Sequence, residues 1–440
     1  MIKESPYQPN GRIQVIHHDE LHWRRFLLHE WVQLPSAIFL CVLVPLVLRE
    51  HTVLIGDISE HARYTSYSSA LAIVIAHFIL SKIRDFPGVQ SGSRILFVVS
   101  TAFATVLIAI LVFRLDYSRS LLAASYTLSV LWFVAIHLLS RRFRKRNIAL
   151  VPVGNLDELA QFEAVNCSYL RHPGEPLAHY SSVVADLRSN LPEEWERFLA
   201  DCTLAGIPVY HVKQVYESFT GRVQIEHLTE NNFGSLLPSN GYLKVKYTVD
   251  WLIALLAFPF FILLYAIIAP IILWTSKGPV FYRQSRMGYR GRYFKVWKFR
   301  TMFHDAAGKD QTSEREAFVT TDGDTRITPV GRILRRYRID ELPQILNILT
   351  GEMSWIGPRP EAARLSQWYE AELPFYRYRH VVRPGISGWA QISQGHVSDP
   401  REVLDKLHFD FFYIKYLSPW LDFLIVLRTI RTISTGFGSK

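Results

Sequence analysis

The densest chemistry in the chain lies at residues 335–349, RRYRIDELPQILNIL, where Arg335, Arg336 and Arg338 crowd an adjacent carboxylate pair, Asp340 and Glu341. The plain reading is a helix start. Asp is a favoured N-cap, Glu suits a helix N-terminus and Pro343 is tolerated in the first turn, so the spacing predicts a helix opening at Asp340 and continuing through QILNIL. An N-cap, however, needs one carboxylate and no arginine cluster. Phosphoryl chemistry needs more. A carboxylate can form an acyl phosphate and so divide one difficult transfer into two. A neighbouring carboxylate can hold Mg²⁺, which takes few protein oxygens together with substrate phosphates. Arginine's planar fork matches phosphate oxygens. Arg359 in GPRPE (357–361) and Arg383 in VVRPGISGWAQI (381–392) sit beside prolines and glycines that fix the backbone, as phosphate clamps require. Their alternative is an ordinary ion pair at a turn.

The elements that must position these residues begin with GPVFYRQSRMGYRGRYFKVWKFRTM (278–302). Alternating aromatics around a Met-Gly turn predict a β-hairpin with a basic face carrying Lys298 and Arg300. A membrane-facing surface or single-stranded nucleic acid would also suit such a hairpin. The paired carboxylates and the apolar run just before it argue against nucleic acid. That run, Val249–Trp274, is long enough to cross a bilayer. Pro259 stands inside it, where it removes a helical hydrogen bond. A helix that enters, bends near Pro259 and returns would keep everything after it on one face of the membrane; a tilted fifth span is the alternative.

Four further apolar runs fill the first third: Val32–Leu48, Tyr64–Leu80, Ile95–Phe113 and Leu121–Ser140. Each is about a spanning length. Basic residues gather at the N-terminus, in the second loop and in RRFRKR (141–146), which puts those sides in the cytoplasm. From Asn147 to about Gly241, short apolar strands (NIALVPVGN, SSVVADL and IPVYHV) alternate with amphipathic helices (LDELAQFEAV and PEEWERFLADCTLAG), predicting an α/β domain with a parallel sheet. Its first turn, PVGNLDE, carries Gly154 alone rather than G-x-G-x-x-G, so the domain reads as Rossmann-like without a dinucleotide. At the far end, PWLDFLIVLRTIRTI spaces Leu424, Leu427, Ile430 and Ile433 as one face with Arg428 and Arg431 between. That suits a helix in the headgroup region or one packed on the domain core.

Composition agrees with a membrane protein and an anionic partner: 49 % of residues are hydrophobic and the net charge is +10. Three widely spaced cysteines support neither a disulfide framework nor a zinc cluster. The first thirty residues lack the apolar core of a cleaved signal peptide.

KFRTM (298–302), IDELPQILNIL (339–349), GPRPE (357–361) and RPGISGWAQI (383–392), in this order after a membrane run and GPVFYRQ, resemble the catalytic domain of the bacterial sugar transferases, the monotopic phosphoglycosyl transferases. The longer layout is similar to the polyprenyl-phosphate hexose-1-phosphate transferases. The architecture implied is an N-terminal segment (1–30), four transmembrane helices (31–146), a degenerate Rossmann-like domain (147–240), a re-entrant helix (241–277) and a mixed α/β catalytic domain (278–440). The resemblance implies attack by Asp340 on a UDP-hexose, of glucose or galactose, with UMP expelled and undecaprenyl phosphate then taking the sugar phosphate. It implies Glu341 as ligand of Mg²⁺, with Lys298, Arg300 and Arg359 near phosphate or nucleotide. The family's Ser-Pro break would fall near Ile262–Leu263, about one turn after Pro259. The setting implied is the cytoplasmic face of the bacterial inner membrane, at the first membrane step of exopolysaccharide, capsule or O-antigen synthesis. Downstream glycosyltransferases are the expected partners, nucleic acid is not, and homo-oligomerisation is left open. The competing reading is a non-enzymatic membrane scaffold or ligand sensor whose basic C-terminal domain binds lipid.

Overall fold

A computed structural model describes residues 30–50, 58–82, 92–143, 147–156, 159, 166–177, 180–223, 238–303, 325–373, 375–394 and 400–435. They form two compact units, Met1–Thr220 and Gly221–Lys440.

The first unit opens with helices. One is built of three consecutive segments, Glu30–Ile38, Phe39–Leu43 and Val44–Glu50, the middle one a π-helical turn (together α1). Glu60–Lys82 (α2), Gly92–Val112 (α3) and Arg119–Phe143 (α4) follow. Small and aromatic residues such as Ala72, Ala76, Ala102, Phe103 and Phe133 pack between them. Phe78, Leu111 and Leu131 face outward and are more than half exposed, which fits a hydrocarbon surrounding. All four helices are long and apolar enough to cross a membrane.

The α/β part of this unit is a four-stranded parallel sheet of order β2-β1-β3-β4, from Asn147–Leu150 (β1), Asn166–Tyr169 (β2), Ser182–Ala185 (β3) and Val209–His211 (β4). Helices Glu193–Leu204 (α5) and Val212–Thr220 (α6) accompany it. The sequence reading anticipates β1, β3, α5 and β4 but not β2. The helix it expects over LDELAQFEAV lies almost entirely outside the described residues. Gly154 has φ +89°, and a Cβ there would stand 2.5 Å from Cβ of Asp186. Its lone glycine is explained by that close approach, with no phosphate required.

The second unit is organised around Asn240–Thr275 (α7), 36 residues that run on through Pro259 and Pro270. One face is packed on the unit along its length. Leu243 joins one cluster, Ala254 packs with Phe294, Val296 and Ile345, and Ile268 and Ile272 pack with Phe299 and Leu334. Tyr265 stacks on Phe281 at 5.3 Å. Both ends are bonded to the same unit. Near the start, Asp250 accepts from Ser354 Oγ (2.5 Å) and its carbonyl from Trp355 Nε1 (3.0 Å). At the C-terminus, Arg300 donates to the carbonyls of Ser276 (2.6 Å) and Lys277 (3.0 Å). The opposite face, including Leu256, Phe260 and Leu263, is exposed.

Phe281–Met287 (β5) and Tyr293–Phe299 (β6) make the expected antiparallel hairpin. Pro329–Arg336 (α8), a 3₁₀ turn at Ile339–Gln344 and Ile345–Leu349 (α9) follow. Ser354–Ile356 (β7) pairs in parallel with Gly385–Ser387 (β8). Ala363–Glu372 (α10), Trp389–Ser393 (α11), Pro400–Lys415 (α12) and Pro419–Thr435 (α13) complete the unit. In α13, Leu421 and Ile425 are core residues and Arg428 lies over the Trp389 ring at 4.8 Å, so this face is packed on the domain, while Ile430 stays exposed.

Candidate active site

The local chain path sets the carboxylate pair. Helix α8 ends at Arg336, and Arg338 takes a left-handed conformation (φ 55°, ψ 24°) that reverses the chain into the 3₁₀ turn. Asp340 is therefore the second residue of that turn, not the N-cap the sequence predicts. An N-cap needs extended backbone, and the tight reversal at Arg338 leaves none. In this turn both carboxylates are buried, Asp340 at 8 % and Glu341 at 5 % exposure. Asn347, fully buried in α9, pins the turn to the hairpin: its Oδ1 accepts from the Trp297 amide (3.0 Å) and its Nδ2 donates to the Lys295 carbonyl (2.9 Å).

Glu341 is held by cations from three separate stretches. Oε1 accepts from Lys298 Nζ at 2.8 Å and Arg359 Nη2 at 2.7 Å, while Oε2 faces Arg359 Nη1 at 3.5 Å and Arg338 Nη1 at 3.6 Å. Burial alone would raise this carboxyl, but Arg359, Lys298 and Arg338 together hold it well below the usual range. Asp340 is treated differently. Its side chain has no hydrogen bond or ion pair among the described residues, and burial pushes its pKa up to about 6, against the pull of Lys298 and with the push of Glu341. The two titrate as a coupled pair, with Asp340 the last to ionise.

The Arg359 loop is fixed by close backbone crossing. Gly385 N–H donates to the Pro358 carbonyl (3.0 Å) and Gly357 N–H to the Ser387 carbonyl (2.9 Å). A Cβ on Gly357 would lie 2.4 Å from the Arg383 carbonyl, and one on Gly385 2.0 Å from Gly357 N, so neither position admits a side chain. Buried Arg379 donates to the Arg359 carbonyl (2.8 Å) and pairs with Asp410 (2.8 Å). Glu361 pairs with Lys406, which, with Arg379 and Arg286, outweighs burial and keeps its carboxyl low.

The site thus gathers Asp340, Glu341, Lys298 and Arg359 of the residues singled out in the sequence. It does not gather Arg300, which caps the carbonyls ending α7, or Arg383, whose guanidinium lies over the Tyr247 ring at 4.1 Å. Pro259 sits within α7 and contributes no side chain to the pair. The sequence reading names Arg335 and Arg338 beside the pair but leaves them out of the phosphate clamps. In the structure Arg338 faces Glu341 and Arg335 Nε donates to Thr301 Oγ1 (3.0 Å) beside Asp340. Asn347 was also missed, and Arg286 was counted only among the cations of the hairpin's basic face. Arg286 donates to the Pro360 carbonyl at 2.9 Å and lines, with Lys298 and Arg359, a chamber of about 10 Å³. A polar residue amid an otherwise apolar helical stretch was the one signal that pointed to Asn347.

No cluster of three His, Cys, Asp or Glu occurs among the described residues. What the site offers a metal is the Asp340–Glu341 pair. These are hard-oxygen donors, short of a full cage, and Glu341 already faces Lys298, Arg338 and Arg359.

Residues 241–436, which contain this whole constellation, match the family described as bacterial sugar transferase. A UDP-N-acetylgalactosamine-undecaprenyl-phosphate N-acetylgalactosaminephosphotransferase of Aeromonas hydrophila is 44 % identical over 372 residues, 84 % of this chain and 86 % of that one. The chain belongs to the bacterial sugar transferase family. A UDP-glucose:undecaprenyl-phosphate glucose-1-phosphate transferase of Xanthomonas campestris pv. campestris is 41 % identical over 204 residues, 46 % of this chain and 41 % of its own. The exopolysaccharide production protein ExoY of Sinorhizobium fredii is 35 % identical over 216 residues, 47 % of this chain and 92 % of its own. The last two matches span less than half of this bacterial sugar transferase, whereas the Aeromonas relative extends over most of it.

Proposed function

We propose that the protein transfers a sugar 1-phosphate from a UDP-sugar to undecaprenyl phosphate by two displacements at one phosphorus. Asp340 attacks the sugar-bearing phosphorus, the phosphoanhydride bond breaks, and UMP leaves with the electron pair. A sugar phosphate is left on Asp340 as an acyl phosphate. An oxygen of undecaprenyl phosphate then attacks the same phosphorus, the acyl phosphate bond breaks, and the Asp340 carboxylate is regenerated.

The observation that carries this reading is the contrast within one dipeptide. Glu341 is clasped by three cations while Asp340, buried beside it, is left unpaired. A pKa of about 6 leaves Asp340 mostly ionised at neutral pH yet more basic than an ordinary aspartate. Lys298, Arg338 and Arg359, which face Glu341, would also neutralise the diphosphate, and Arg300 and Arg383 would hold the chain around them. Glu341, together with substrate phosphate oxygens, would hold Mg²⁺. When bound, the ion supplies charge neutralisation of the diphosphate.

The relatives guide the choice of donor to test. Glucose and galactose are the sequence expectation, but the match over most of the chain is to an N-acetylgalactosamine enzyme, so UDP-N-acetylgalactosamine is the first donor to test. The membrane reading is four crossings and a re-entrant α7 bent near Pro259, with catalysis on the cytoplasmic face of the inner membrane. What supports it is that α7 keeps one face packed on the second unit, with Asp250 and the Ser276 and Lys277 carbonyls all bonded to that unit, while the opposite face is left exposed and apolar. The pathway served is exopolysaccharide, capsule or O-antigen assembly.

The test is UMP release from UDP-N-acetylgalactosamine, UDP-glucose and UDP-galactose by purified membranes with Mg²⁺, with and without undecaprenyl phosphate. The lipid-free reaction is expected to give a single-turnover burst and a peptide containing Asp340 heavier by one sugar phosphate. A membrane scaffold would release no UMP from any donor, and that outcome sinks the reading.

A further inference from the structure

Beside the carboxylate pair lies a cavity of about 180 Å³, walled by Arg338, Glu341, Trp355, Ser387, Gln391 and Thr429 among others. Its size is on the order of the roughly 150 Å³ that admits one benzene ring, so it has room for a single six-membered ring. Arg338 supplies donors on the Glu341 side, whereas the hydroxyl walls have none to spare. Thr429 donates to the Ile425 carbonyl (2.7 Å), and Ser387 and Thr429 share a hydrogen bond at 2.6 Å. With Thr429's proton committed, that shared proton comes from Ser387, leaving only acceptor lone pairs for an occupant. Gln391 is 8 % exposed, and its Oε1 is buried with no hydrogen-bond donor among the described residues. A buried amide oxygen without a donor carries a desolvation penalty that a ligand N–H or O–H would relieve.

We infer that this cavity holds the sugar ring of the donor and that Gln391 is a specificity-determining residue accepting a hydrogen bond from a sugar hydroxyl or acetamido N–H. The inference rests on the transferase reading above and deepens it. Of the groups that reaction brings to Asp340, UMP leaves and the lipid arrives late. The sugar phosphate stays through both steps, so its ring must lodge within reach of the 3₁₀ turn, and Glu341 in that turn is part of the cavity wall. An isoprenoid tail offers no donor to Gln391, although the apolar walls Ile339, Leu342 and Ile392 would tolerate it.

The experiment measures binding of N-acetylgalactosamine 1-phosphate, glucose 1-phosphate and UMP to the full-length protein in detergent, alongside the Michaelis constant for undecaprenyl phosphate. Gln391→Leu is expected to weaken one or both sugar phosphates about tenfold, the worth of one hydrogen bond, with UMP binding and the lipid constant unchanged. Ile392→Phe narrows the cavity without altering the amide, and keeps the test open if Gln391→Leu does not fold. It is expected to weaken the N-acetylated sugar phosphate more than the glucose one. Unchanged sugar phosphate binding in both variants, an equal loss for UMP, or a loss confined to undecaprenyl phosphate overturns the inference, the last assigning the cavity to the lipid. A wild-type protein that binds sugar phosphates with the expected variant losses, yet releases no UMP, refutes the transferase reading while the cavity assignment stands.

Discussion

Two aspartates, one in each unit, sit at chain turns and meet opposite fates. Asp186, just beyond β3 in the parallel sheet, is saturated locally: its carboxylate accepts from the Asn155 amide (3.3 Å) and the Arg188 amide (3.2 Å) and lies 3.8 Å from His211 Nε2. Asp340, in the 3₁₀ turn of the second unit, is buried beside a glutamate that has taken the nearest cations, and it pairs with none of the described residues. A carboxylate satisfied by backbone N–H groups is structural. One denied such partners keeps its lone pairs for a substrate and bears the cost of burial, and such strained groups mark sites of chemistry.

The sharpest way to break this comparison is to neutralise each aspartate in turn. Asp340→Asn is expected to lower UMP release by about 10⁴-fold, in the range seen when a nucleophile is removed, and to raise the melting temperature at pH 7. The sign of the stability change is fixed by the pKa. A carboxyl raised in the folded state lends stability below its unfolded pKa near 4 and loses it as pH rises through about 6, so at pH 7 the charged form costs roughly 3 kcal/mol. Asp186→Asn should leave UMP release within about twofold and lower stability by about 1 kcal/mol. A variant of Asp340 that is inactive but less stable would contradict the unpaired state.

A second probe removes a cation from Glu341. Arg359→Ala leaves a buried carboxylate short of its strongest partner, with an expected loss of about 3–5 kcal/mol in stability and about 10²-fold or more in UMP release. Arg359→Lys keeps charge but not the two-pronged contact and should fall between. Equilibrium denaturation and the UMP assay check both.

The smallest effect expected is that of pH. Single-turnover UMP release should rise about tenfold per pH unit below about pH 6 and level off above it as Asp340 ionises. Glu341 and Glu361 stay charged throughout that window and add no inflection. A flat profile from pH 5 to 7 would place Asp340 in the ordinary carboxylate range.

Much of the frame was legible from local pattern. The apolar runs, the hairpin and three of the four strands of the parallel sheet follow from periodicity, because hydrophobic burial and backbone hydrogen bonding act over a few residues. The short β2, NCSY, escaped because four mixed residues carry no period. The Asp340–Glu341 pair and the GPRPE loop stood out for the same local reason, being rare combinations of charge with rigid backbone.

What the sequence could not do was sort the arginines. Arg300, Arg335, Arg338, Arg359 and Arg383 carry the same guanidinium, yet one closes a helix end, one stacks on Tyr247, and Arg338 and Arg359 turn to Glu341. A guanidinium is long and takes whichever carbonyl, ring or carboxylate the packing brings within reach, so its role is decided by contacts far apart in the chain. The sequence by itself determined that an adjacent carboxylate pair follows an apolar membrane run in a cation-rich domain. Only the tertiary structure decided which carboxylate is neutralised and which is left bare, because that depends on bringing residues 298, 338 and 359 onto one oxygen pair.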